Sequence, residues 1–221
     1  MMKLSREKLT KMIDHTLIRP TANHSDVVIL CEEAKRYKFC SACVPPVYVP
    51  LAAGYLKNSG VKVATVVGFP LGYQLPEVKI METLLALRDG ALEIDMVMNI
   101  SAMKSKDYPL VQRDIAGVVR AAGGATVKVI IETCYLAEEE KIKACKIVAD
   151  AGAHFVKTST GLAEGGATIQ DVKLLRKNLP KKVGVKAAGG IRDCKTTLAM
   201  IRAGATRIGT STGPKIIESC D

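Results

Sequence analysis

Two lysines in this chain of 221 residues stand where a lysine is costly. Lys157 closes an apolar run, Ala153 to Val156, and is followed by Thr158-Ser159-Thr160-Gly161. Lys186 closes Val183-Gly184-Val185 and is followed by Ala187-Ala188-Gly189-Gly190. Such runs read as buried strands, and burial lowers an ammonium's pKa towards the neutral amine that attacks a carbonyl. Either lysine alone could merely reach solvent at a strand end; the repetition points to a site. Asp95, within Glu93-Ile94-Asp95-Met96-Val97-Met98, adds a carboxylate in another apolar stretch. A buried carboxylate is expensive unless a cation accompanies it, and two neighbouring ammonium groups cannot both stay charged cheaply. Two lysines and an acid are what Schiff-base chemistry asks for: one amine attacks, the second keeps it unprotonated, and the acid moves protons with a water. Lys128 and Glu132 read instead as members of structural ion pairs.

The elements that must hold these residues alternate between strand and helix. Strands are expected over 13–18, 39–44, 61–67, 91–97, 127–131 and 205–209, with two more ending at Lys157 and Lys186. Helices are expected from Ser25 to Tyr37, Val49 to Lys57, Pro76 to Gly90, Asp107 to Ala122, Ala137 to Ala151, Thr168 to Leu179, Asp193 to Ala203, and from Pro214 onwards. Eight right-handed units of this kind close into a (β/α)8 barrel, here a single domain over 1–221 with a short N-terminal helix. An open doubly wound sheet is the alternative, but no GxGxxG follows the first strand.

Barrel sites lie at the C-terminal strand ends. The residues expected there are Asp14, Cys43, Asp95, Glu132, Lys157 and Lys186. Gly189-Gly190, and Gly209 with Ser211 and Thr212, follow the last two strands and precede helices. Backbone N–H groups at such turns hold phosphate, and glycine lets the backbone come close. Arg192 and Lys215 flank these loops.

Composition narrows the partners. The net charge is +10, and eleven Lys or Arg face one acid, Asp193, between Lys173 and Lys215. With no Trp, three Phe and six Tyr, there is no basic-aromatic pattern for stacking bases. A small phosphorylated molecule suits the basic segment, and no nucleic acid is expected. No apolar run approaches the roughly 20 residues of a membrane span, and the start lacks an apolar signal core. The expected setting is therefore cytoplasmic, away from any membrane. Seven scattered cysteines read as reduced thiols. Cys40 and Cys43 match CxxC but fall on opposite faces of a strand, and His15, His24 and His154 show no ligand spacing, so no metal or other cofactor is expected.

Several stretches carry a resemblance: IDHT at Ile13, GFPLG at Gly68, EIDMVMNI at Glu93, KVIIET at Lys128, FVKTSTG at Phe155, GGAT at Gly165, VKAAGGIR at Val185 and AGATRIGTSTG at Ala203. Together they are similar to the motifs of the deoxyribose-phosphate aldolases, class I aldolases, along nearly the whole chain. The resemblance implies cleavage of 2-deoxy-D-ribose 5-phosphate to D-glyceraldehyde 3-phosphate and acetaldehyde, and the reverse addition. It implies that Lys157 forms the Schiff base, Lys186 tunes it, and Asp95 relays protons. Gly161, Gly189, Gly190, Gly209 and Ser211 would hold the phosphate, with Thr212, Asp14 and Cys43 as further binding residues. A homo-oligomer, dimer or tetramer, is expected. Pro45 stands where many members have Asn, His154 where many have Asp, and Ala188 where Ser is frequent; Pro45 and Ala188 bear on substrate tolerance. Competing readings are an aldolase for another phosphosugar, a non-catalytic phosphosugar-binding barrel, and a basic nucleic-acid-binding protein.

Overall fold

The computed structural model describes residues 4–220. Eight parallel strands run in sequence order around a closed barrel. They are β1 (Ile13–Thr16), β2 (Ser41–Val44), β3 (Lys62–Val67), β4 (Glu93–Val97), β5 (Thr126–Ile130), β6 (Phe155–Lys157), β7 (Gly184–Ala188) and β8 (Arg207–Thr210). The barrel closes where β8 pairs with β1, with Asp14 beside Gly209. Helix α1 (Arg6–Thr10) precedes β1. Between strands lie α2 (His24–Tyr37), α3 (Val49–Leu56), α4 (Pro76–Arg88), α5 (Ile100–Lys104), α6 (Tyr108–Ala121), α7 (Glu138–Asp150), α8 (Ile169–Asn178) and α9 (Cys194–Ala203), and α10 (Gly213–Ser219) follows β8. This is the expected (β/α)8 barrel.

Helix starts follow side-chain chemistry. Asn23, Asp107, Thr168 and Asp193 each accept a hydrogen bond from a backbone N–H three residues on, satisfying a donor that a helix end leaves open. Helix α2 therefore starts after Asn23 and not at Ser25, because Asn23 and Asp26 cap each other's backbone reciprocally. Helix α5 is an unforeseen element. Its five residues, capped by Asn99, are too few to show a helical period.

Side chains alternate across a strand, and the alternation here separates apolar from charged. Ile94, Met96, Val127, Val129, Val156, Val185, Ala187 and Ile208 join the buried apolar shell under the helices. The residues between them point inward. Barrel interiors are ordinarily filled by branched aliphatic side chains. This one holds Asp14, Glu93, Asp95, Lys128, Lys157, Lys186 and Arg207, all buried.

One expectation is corrected. The cysteines are not all thiols: Cys194 and Cys220 form a disulfide across 26 positions, with Cα atoms 5.3 Å apart. The start of α9 and the end of α10 pack side by side, a proximity that spacing along the chain does not reveal. Cys31, Cys40, Cys43, Cys134 and Cys145 remain free. Among the described residues no helix is long and apolar enough to cross a membrane.

Candidate active site

Asp95 is the hub of the barrel interior. Lys157 Nζ donates to its Oδ2 at 2.8 Å, and Lys186 Nζ donates to the same oxygen at 2.7 Å. Lys128, paired with Asp95 in the β4–β5 register, donates to Oδ1 at 2.8 Å. The other two carboxylates extend the array. Asp14 Oδ2 lies 2.6 Å from Lys186 Nζ, and Glu93 Oε2 lies 2.6 Å from Lys128 Nζ. Arg207 Nη1 bridges them from β8, donating to Asp14 Oδ1 at 2.6 Å and Glu93 Oε2 at 2.9 Å. Ser41 Oγ completes Asp14's coordination with a donated bond of 2.7 Å.

These contacts set the protonation states. Burial would raise the Asp95 carboxyl, but Lys128, Lys157 and Lys186 hold it well below the usual carboxylate range. Burial would lower Lys186 too, yet Asp14 and Asp95 together raise it, so it stays an ammonium. Lys128 is raised in the same way by Asp95, Asp14 and Glu93. Lys157 goes the other way. Burial lowers it, Lys186 adds to the effect, and Asp95, shared with two other ammonium groups, does not make up the difference. The fold thus separates two lysines that look alike in sequence into a cation and an amine held towards neutrality.

Access separates them again. A cavity of about 460 Å3 opens at the C-terminal strand ends, and Lys157 lines it while the fully buried Lys186 does not. Gly161, Gly189, Gly190, Gly209 and Ser211 line it too, with Arg192 at the edge. Gly189 is needed at close quarters, since a Cβ there would meet Gly166 Cα at 2.9 Å. Gly209 has a second use: a Cβ there would come within 3.0 Å of Lys186 Cε. Glu132, which the sequence suggested as an ion-pair member, accepts instead from Thr160 N and Thr160 Oγ1, at 3.1 and 2.5 Å to one oxygen. It fixes the loop after β6 that carries Gly161.

Three expected binding residues stand elsewhere. Asp14 is fully buried and faces Lys186 and Arg207, not the cavity. Cys43 sits inside the barrel with Ala64 and Val66, its thiol pushed up to about 11 by burial. Thr212 gives its backbone N–H to Thr210 Oγ1 at 3.1 Å, so that donor is already taken. Conversely, Arg207 and Glu93 belong to the array without having been singled out. Glu93, two residues before Asp95, was within reach of the period-two rule; Arg207 was hidden among the basic residues of the C-terminal third.

Comparison with known proteins agrees with this geometry. The family model for DeoC/LacD family aldolases matches residues 8–219. A deoxyribose-phosphate aldolase of Thermococcus kodakarensis is 55% identical over 97% of this chain and 98% of its own length. One from Streptococcus sanguinis is 54% identical, covering 96% of both chains. Among solved structures, the tetrameric deoxyribose phosphate aldolase of Aeropyrum pernix superposes with a TM-score of 0.91 at 38% identity, over 97% of this chain and 92% of that one. A barrel whose interior is ionic, whose one cavity-lining lysine is held towards neutrality, and whose sequence matches over 212 positions (8 to 219 inclusive) belongs to the DeoC/LacD aldolase family.

Proposed function

We propose that this protein is a class I aldolase that reversibly cleaves 2-deoxy-D-ribose 5-phosphate into D-glyceraldehyde 3-phosphate and acetaldehyde, with Lys157 as the nucleophile. The observation that carries this reading is that Lys157 alone of the Asp95-bound lysines lines the cavity. Its amine adds to C1 of the open-chain sugar, and loss of water leaves a protonated Schiff base. Removal of the C3 hydroxyl proton breaks C2–C3, with the iminium taking the electron pair as an enamine. Protonation at C2 and hydrolysis then release acetaldehyde and restore the amine. Asp95 and Lys186 supply and accept the protons through a water. Cleavage of deoxyribose 5-phosphate without added metal tests the reaction. Peptide mapping after acetaldehyde and borohydride tests the residue. Label on Lys186, or spread over surface lysines, would refute the assignment.

The phosphate is assigned to the glycine loops and Ser211 at the cavity's edge. Charge-assisted hydrogen bonds contribute about 1.5–3 kcal/mol each, so losing two of them should lower kcat/KM at least about a hundredfold. Unphosphorylated deoxyribose is therefore expected to be a far poorer substrate. Equal kcat/KM for the two sugars would remove the phosphate from this site.

Self-association is proposed through α4. Its inner face buries Lys79, Thr83 and Ala86, while Val78, Met81 and Leu85, spaced along the outer face, are 44%, 54% and 41% exposed. Leu71, Tyr73 and Leu75 extend this apolar surface into the preceding loop. A patch of this kind marks an interface, and the tetrameric Aeropyrum pernix relative supports a second copy as its occupant. Met81→Glu with Leu85→Lys should reduce the mass measured by light scattering; an unchanged mass would place the contact elsewhere. We place the protein in the cytoplasm, a setting that suits its five free thiols and in which the Cys194–Cys220 bond is an unusual feature.

A further inference from the structure

The charged interior has a count that singles out one residue. Asp14, Glu93 and Asp95 supply three negative charges, and Lys128, Lys186 and Arg207 supply three positive ones, so 3 − 3 leaves no net charge for Lys157 to balance. Lys62 also reaches Glu93, at 3.1 Å, but its side chain is 47% exposed and water screens it. Every strand's contribution around Lys157 is then accounted for. β1 brings Asp14, β2 Cys43, β4 Glu93 and Asp95, β5 Lys128, β7 Lys186 and β8 Arg207, while β3 turns Ala64 and Val66 inward. Arg207 lies outside the cavity lining and does not touch Lys157.

We propose that Arg207 is a positioning residue for the aldol chemistry: its charge, held on Asp14 and Glu93, fills the last anionic place in the barrel interior and leaves Lys157 without a carboxylate of its own. This rests on Lys157 being the nucleophile. Without the guanidinium, the three carboxylates would face two permanent cations, and a proton on Lys157 would restore neutrality. Without Glu93, the interior would carry an excess positive charge, and Lys157 would lose its proton more easily. Arginine suits the place because it stays charged when buried.

The test is the pH profile of acetaldehyde trapping with cyanoborohydride, read at Lys157 by peptide mapping. Arg207→Gln should move the trapping midpoint upward by about one pH unit or more, reducing trapping about tenfold below the midpoint. Glu93→Gln should move it downward and carries the same test from the other side. The double variant should return towards the parent, and Arg207→Lys, which keeps the charge, should stay near it. A midpoint that stays put in both Arg207→Gln and Glu93→Gln, or a double variant as far displaced as the single ones, would overturn the proposal. A merely structural role would lower trapping equally at all pH values. Failure of the nucleophile assignment looks different: in the parent protein itself the label would map to a residue other than Lys157.

Discussion

Lys186→Leu should lower turnover at neutral pH a hundredfold or more while leaving Lys157 open to trapping at higher pH. Lys186 lowers the Lys157 pKa directly, and it also occupies Asp95 Oδ2 and Asp14 Oδ2, which would otherwise be free to stabilise a charged Lys157. Removing it changes both influences in the same direction. Each pKa unit corresponds to about 1.4 kcal/mol, and a rise of about two units, within the usual range for a single close charge, lowers the reactive amine fraction by up to about a hundredfold. Raising the pH restores the amine and with it the trapping. Lys157→Leu behaves differently, because no nucleophile remains and trapping disappears at every pH. If Lys186→Leu trapped like the parent at pH 7, Lys186 would not govern the protonation of Lys157.

Asp95→Asn should separate bond formation from turnover. The carboxylate accepts from Lys128, Lys157 and Lys186 at once, and the amide cannot balance their charge. Leaving buried charge uncompensated costs about 3–5 kcal/mol, so the unfolding midpoint in denaturant should fall. Lys157 loses the group that favours its ammonium, so trapping should persist and extend to lower pH. Proton transfer loses its carboxylate, for which about 10^2–10^4 in kcat is the usual loss. Turnover within tenfold of the parent would remove Asp95 from the proton path.

The buried trio proposed to be catalytic, Lys157, Lys186 and Asp95, was legible because each member breaks an apolar strand, and a charge in such a place has few physical explanations. Arg207 was not. It lies in the segment where eleven basic residues face one acid, a composition that reads as a basic surface. Yet Arg207 and Lys186 from that segment are buried inside the barrel. Lys186 follows an apolar run that marks a buried strand, whereas Arg207 stands between Thr206 and Ile208, and only the pairing of β7 with β8 sets it beside Lys186. Asp14 shows the same limit. It was expected at a C-terminal strand end, yet it is the second residue of β1, and the partner that holds it there, Arg207, lies at the far end of the chain. The Cys194–Cys220 bond and the five-residue α5 were hidden for related reasons, one set by packing of two helices and the other too short to be periodic.

The link between Asp14 and Arg207 joins residues 193 positions apart, which places a constraint on the order of assembly. Synthesis proceeds from the N-terminus, so Asp14, Glu93 and Asp95 are all present long before β8 exists. A partial barrel of seven strands holds its carboxylates one cation short and leaves β1 with an unpaired edge. Closing so long a chain segment is entropically unfavourable, and arrival of the last strand offsets that cost by supplying the backbone partner and the missing charge together. One strand, β8, therefore supplies both the backbone partner that closes the sheet against β1 and the cation that balances the carboxylates around Lys157.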